Sequence, residues 1–216
     1  MVDQLASEYA AANKPVVFIE QNVDAPLGSR SSRWWAAHGA GSATLPLSMV
    51  DSGNQISSGY LGSSAHYSYT LMVDAALARP PQADIQASSR RVGNRVVFEI
   101  RLTNLSTVTL SSSNAATVHA IVYEEHTPID VNTDHITGRI VRAAVVSGIS
   151  PALAPSATTT ITFETGDVNT VVDWSRAHAL VLADYRPGGS LGAYDMLQAA
   201  FAPWPVFRVY LPAILR

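Results

Sequence analysis

The chain has 216 residues, and its 47% apolar content is enough for a sizeable core in one or two domains. Charged residues reach only 14%, against ~25% in typical soluble domains, and a formal charge of −3 offers no basic field for nucleic acid. There is no cysteine, so disulfides and thiol or dithiol chemistry are excluded within this chain.

Lys14 is the single lysine; the other basic residues are arginine. Low charge, little lysine and Ser/Thr-rich segments point to an exported bacterial protein, secreted or held in the cell envelope. The uncharged stretch 143–163 contains Pro151, Pro155 and many Ser and Thr, which is no membrane span. No signal-peptide pattern opens the chain, so a leader is expected upstream of Met1.

Val2, Leu5, Ala6 and Tyr9 fall at helical spacing, and Asn13 with Pro15 ends that helix. The apolar run 16–19 predicts a short buried strand. Residues 24–32 form a loop around Pro26 and Gly28. A short helix over 33–38 carries Trp34 and Trp35 and closes on Gly39 and Gly41. Strand, turn and strand follow over 42–60. Leu45, Leu47 and Met49 alternate with Pro46, Ser48 and Val50; Asp51, Ser52 and Gly53 turn the chain; and 55–58 returns. Pro46 cannot donate to a ladder, so it belongs at a strand's start, edge or bulge, and the Leu45–Pro46 bond is a place for a cis peptide. Ser63 or Ser64 caps a helix over 65–78, with Tyr67, Leu71 and Ala75 on one face.

Arg79-Pro80-Pro81-Gln82 stops that helix, and 80–82 reads as a linker. Beyond it, strand-like segments recur at 83–88, 96–103, 117–123, 139–146, 158–165, 179–185 and 196–201. Seven short strands between Ser-, Pro- and Gly-rich turns predict an immunoglobulin-like β-sandwich over 83–201, without the Cys–Trp–Cys core of antibody domains. In the tail, 202–216, three prolines bar a continuous helix. Trp204, Phe207, Tyr210, Leu211, Ile214 and Leu215 are too apolar for a solvated end. They predict docking within the chain, against Trp34, Trp35 or the outer face of the sandwich, or else on a neighbouring molecule or the export and envelope machinery.

Residues 1–79 resemble the C-terminal two thirds of a thioredoxin domain. VDQLASEYA resembles the helix after the redox dithiol, VVFIEQNVD the third strand and RWWAAHG the third helix. TLPL resembles the cis-proline segment, with Pro46 in that place. MVDSGNQISSGYLG resembles the closing hairpin, and YSYTLMVDAALA the last helix. The first two strands, the first helix and the C-x-x-C have no counterpart. The fold expectation is therefore α+β: a partial thioredoxin-like domain over 1–79, then an all-β immunoglobulin-like sandwich. The arrangement is similar to that of a family of secreted and outer-membrane bacterial proteins.

The resemblance implies that backbone beside Leu45 and Pro46 pairs with an extended peptide, so a peptide or another protein is the expected partner. Asp130, Asn132 and Asp134 alternate like calcium ligands, but His135 and Val141 stand where an EF-hand needs Gly and Glu, so this reads as a polar loop. The six histidines show no metal-ligand spacing, although His126 and His135 flank that loop beside Glu124, Glu125 and Asp134. No G-x-S-x-G elbow occurs, and no cofactor or metal is expected. Asn104-Leu105-Ser106 is a glycosylation sequon. Adjacent Trp34 and Trp35 cannot share one helix face, which makes one of them, with Trp204 and Tyr210, a candidate for an interface. The expected function is a non-catalytic, exported binding or envelope-associated protein. The alternative is the truncated remainder of a secreted thiol–disulfide oxidoreductase whose C-x-x-C lies upstream of Met1.

Overall fold

The computed structural model describes residues 2–21, 29–38, 41–125, 138–189 and 191–204, the side chains of 29–31 excepted. The first helix, α1 (Val2–Ala11), buries Leu5 and Tyr9 one turn apart. It ends on Asn13 in the left-handed region (φ 52), with Lys14 N–H donating to the Tyr9 carbonyl and Asn13 N–H to that of Ala10. This is the helix end that an Asn at C′ allows.

The run 16–19 is extended but is not the strand its sequence predicts. Among the described residues the ladder contact nearest to it is a parallel bridge just past its end, between Glu20 and Ile140. Glu20 N–H donates to the Arg139 carbonyl at 2.7 Å, and Val141 N–H donates to that of Glu20 at 2.8 Å. The side chains still alternate. Val17 and Ile19 pack with Trp34 and the sheet residues, whereas Val16 and Phe18 pack with Leu5, Tyr9 and Tyr69. The segment has the facing of a strand between two layers, with no neighbouring strand among the described residues to complete a ladder along 16–19.

Helix α2 (Ser29–His38) begins earlier than the 33–38 expected. Strands β1 (Leu47–Val50) and β2 (Gln55–Ser58) form an antiparallel hairpin in register Leu47 to Ser58 and Met49 to Ile56. The Leu45–Pro46 bond is cis. Asp51 and Ser52 both take positive φ, 58° and 55°, before Gly53 at 79°, so the four-residue tip between Val50 and Gln55 runs left-handed over its first three residues. Helix α3 (Ala65–Leu77) follows a short 3-10 turn, and Ser64 at its N-cap makes no side-chain capping bond. Tyr67, Leu71 and Ala75 do share a face, but that face is exposed, with Tyr67 at 68% and Leu71 at 52%. The buried face carries Ala65, Tyr69 and Val73.

All seven segments expected beyond residue 82 are strands: β3 (Ala83–Val92), β4 (Arg95–Asn104), β5 (Thr117–Glu125), β6 (Arg139–Gly148), β7 (Thr158–Glu164), β8 (Ala177–Tyr185) and β9 (Asp195–Phe201). They pair antiparallel as two sheets, β3-β4-β7 and β6-β5-β8-β9. The inward residues of both sheets form one core, including Phe98, Ile100, Leu102, Val118, Val181 and Leu197. Alternation explains β4, where Phe98, Ile100 and Leu102 face in and Glu99 and Arg101 face out. It fails for β5 and β8, which are buried along almost their whole length. A strand buried on both faces requires a further layer over the second one. The N-terminal half is that layer.

Candidate functional site

The outer face of β6-β5-β8-β9 presents Ile121, Tyr123, Val141, Leu180 and Leu182. Trp34 of α2 lies on it at 8% exposure, with Tyr194 buried beside it and Val17, Ile19, Ala37 and Met49 around it. Trp35 points away from this seam. Its indole N–H donates to the Gly41 carbonyl and its ring stacks on His38 at 6.3 Å.

A polar node is set into this apolar seam. Asp184, near the C-terminal end of β8, is fully buried. It accepts from Trp34 Nε1 at 2.8 Å, Arg33 Nη1 at 3.0 Å and the Thr117 hydroxyl at 2.6 Å, with His119 Nε2 at 3.4 Å. Arg33 also donates to the Ala115 carbonyl at 2.7 Å and lies over the Tyr194 ring at 3.7 Å. Burial pushes the Asp184 carboxyl up, but the hydrogen bond and charge of His119, the Arg33 charge and the Thr117 bond outweigh it and hold it at about 2. An aspartate beside a histidine suggests proton transfer, but both side chains are sealed from solvent. The node joins α2 to the sheet.

A second charged cluster lies at the hairpin tip. Arg79, just past α3, pairs through one nitrogen with Asp51 and through Nη1 with Asp195 Oδ1 at 2.6 Å. Asn54 donates to Asp195 at 2.5 Å, and Met196 N–H donates to Asp51 Oδ1 at 3.1 Å. Burial pushes the Asp51 carboxyl up to about 6, opposed by the Arg79 charge and reinforced by that of Asp195. Ser52 is buried, and its hydroxyl finds no hydrogen-bond partner among the described residues.

The expected peptide site lies on the same hairpin, at the other end. Gly59 N–H donates to the Pro46 carbonyl at 3.0 Å, so 46 and 59 are a hydrogen-bonded pair. Antiparallel pairs alternate in type, so Ser48 and Val50 turn their backbone groups to β2, and Leu47 and Met49 turn theirs to the opposite edge. No described strand pairs along that edge. Leu45, before the cis bond, is 59% exposed.

Trp204 donates from Nε1 to the Ala177 carbonyl at 2.6 Å and packs edge-on against Trp174. It walls an open hollow of about 430 Å³ whose other sides include Ser88, Arg90, Val97, Glu99 and Pro203. Asn104 of the sequon is fully buried, and its amide donates to the Val108 and Leu153 carbonyls at 2.8 and 3.0 Å. It holds loops together in the folded chain. Asp130, Asn132, Asp134, His126, His135 and the tail from residue 205, Tyr210 included, lie outside the described residues. Among the described residues no group of acidic and histidine side chains is arranged to hold a metal ion, and no helix is long and apolar enough to cross a membrane.

Sequence reading missed Arg33, Thr117, Asp184, Arg79 and Asp195. The available signal was Asp184 itself, a lone acid inside the apolar run 179–185. A buried charge there requires a partner from the covering layer.

No protein-family model and no curated protein sequence matches this chain. Among solved structures it is similar to the sporulation control protein Spo0M from Bacillus subtilis, at 10% identity over 58% of this chain and 50% of that one, with a TM-score of 0.36. A putative carbohydrate binding protein from Bacteroides uniformis matches at 11% identity over 56% of each chain, with a TM-score of 0.33. A GH3 beta-glucosidase from Bifidobacterium adolescentis matches at 15% identity over 57% of this chain and 17% of that one, with a TM-score of 0.28. The chain thus spans about half the length of the first two, and less of the third.

Proposed function

We propose that this chain is a non-catalytic, exported binding protein that captures an extended peptide on the free edge of β1. In this reading a thioredoxin-like remnant, residues 1–79, sits on an immunoglobulin-like sandwich. Support for the first part comes from the order helix, extended segment, helix, hairpin, helix, with a cis-proline before the hairpin. Support for the second is a three-stranded sheet facing a four-stranded one over seven antiparallel strands. With no cysteine in the chain, the thiol chemistry of the resembled family has no reactive group here, and peptide pairing is what is left.

The observation that carries the reading is the outward backbone of Leu47 and Met49 beside exposed Leu45. An incoming strand would gain main-chain hydrogen bonds along this edge, and Leu45 would offer apolar contact to one of its side chains. Export rests on composition, chiefly the low charge and single lysine.

Screening a library of extended peptides against the purified chain tests this. Binders should lose affinity to Met49→Pro, which removes an edge N–H while leaving the bonds to β2 in place. Binders indifferent to Met49→Pro, or none at all, would refute edge capture.

A further inference from the structure

Arg79 lies between two carboxylates, and the three groups come from three different elements. Asp51 belongs to the hairpin tip, Arg79 follows α3, and Asp195 opens β9 of the sandwich. Asp51 also accepts the Met196 N–H, and Asn54 donates to Asp195, so the cluster fastens the tip to β9 directly. The side chains are 9% exposed for Asp51, 16% for Asp195 and 30% for Arg79. With both acids ionised the cluster carries one uncompensated negative charge, screened from water and within a guanidinium's width of a second acid. Burial and the neighbouring Asp195 charge both favour the protonated form of Asp51.

We propose that this cluster is a proton-operated clasp, in which uptake of one proton by Asp51 tightens the seat of the hairpin on the sandwich and its loss loosens it. The other groups facing the cluster do not titrate in the same range. Asn54 and Ser52 of the tip and Trp34 of α2 are neutral, Arg79 is held further toward its charged form, and burial raises the phenol of Tyr185 on β8 beyond its ordinary value. When the tip lifts away, Asp51 regains water and its ordinary pKa. The seated form therefore holds the proton more tightly. Seating gains from acidification between about 6 and the ordinary carboxylate range near 3.8, and that gain is lost as pH rises through about 6.

The left-handed run makes the tip a poor place for an idle acid. Asp51 and Ser52 both hold positive φ without being glycine, and a Cβ on Gly53 would meet the Trp34 Cβ at 2.9 Å. A tip held this closely has no room to re-aim Asp51 toward water while seated. Relief of the excess charge comes by proton uptake or by release.

Hydrogen exchange of the full chain between pH 5 and 8, corrected for intrinsic rates, tests the clasp. Amides of β2 and of the covered face of β5 should become about tenfold to a hundredfold less protected as pH rises through 6. Asp51→Asn, which imitates the protonated acid, should keep the high protection at every pH, and Asp195→Asn serves as a second route to the same neutral cluster. Flat protection in the wild type, or an unchanged pH dependence in whichever variant folds, would overturn the proposal.

Discussion

Trp34 is the point at which the N-terminal half is most exposed to test. It lies buried on Ile121, Tyr123, Leu180 and Leu182, and its indole N–H donates to Asp184 at 2.8 Å. Truncation to alanine removes a large ring from a closed seam, which typically costs about 3–5 kcal/mol. Trp34→Phe keeps most of the ring and removes the N–H. A hydrogen bond to a buried charged group is worth roughly 1.5–3 kcal/mol, so phenylalanine should fall between wild type and alanine. Trp35→Ala is the control, since that ring faces away from the sheet and should change stability by roughly 0.5 kcal/mol or less. Urea titration followed by circular dichroism, with all proteins at one pH, reads the series. If Trp34→Ala unfolds within about 1 kcal/mol of wild type, or Trp35→Ala costs more than Trp34→Ala, α2 does not pack on the sheet in this way.

Below the ordinary carboxylate range a separate loss is expected. The contribution of Asp184, held at about 2, is complete above pH 3.8 and fades as pH falls toward 2, so Asp184→Asn should flatten that limb of an acid titration. Gly53→Ala should destabilise by more than about 1 kcal/mol, because alanine opposes both the positive φ and the contact with Trp34; equal melting curves would argue against a seated tip. Asn104→Ala should cost about 1–3 kcal/mol by removing its bonds to the Val108 and Leu153 carbonyls and the acceptor of the buried Ser106 N–H, read in the same urea assay. A chain starting at Gln82 should aggregate or bind a hydrophobic dye, since Ile121, Tyr123, Leu180 and Leu182 would face water; a well-behaved monomer without dye binding would contradict the covering role of 1–79.

The strands of the sandwich were legible because β-branched and apolar residues alternate in β4 and because turn residues separate all seven segments. The helices were legible for the same local reasons, down to the Asn13 terminus. What was hidden depends on the partner of each face. In α3 both sides are apolar, so periodicity alone could not say that Tyr69 and Val73 face inward rather than Tyr67 and Leu71. The run 16–19 has a strand's composition, but a strand also needs a neighbour. The apolar runs in β5 and β8 signalled a second covered face, and lone Asp184 signalled a charged partner within the cover. Those two signals together pointed to the docking of 1–79, which element-by-element reading does not provide. Asp51 passed as an ordinary turn residue because its partners, Arg79 and Asp195, lie 28 and 144 residues away in sequence.

The most direct test of peptide capture is residue-resolved amide exchange of the full chain with and without a bound peptide from the library. Edge pairing on β1 predicts slowed exchange at Leu47 and Met49, whose N–H groups face the open edge, with little change at Ser48 and Val50, which already pair with β2. Binding that protects Ser48 and Val50 equally, or that leaves Leu47 and Met49 unchanged while slowing amides elsewhere, would contradict it.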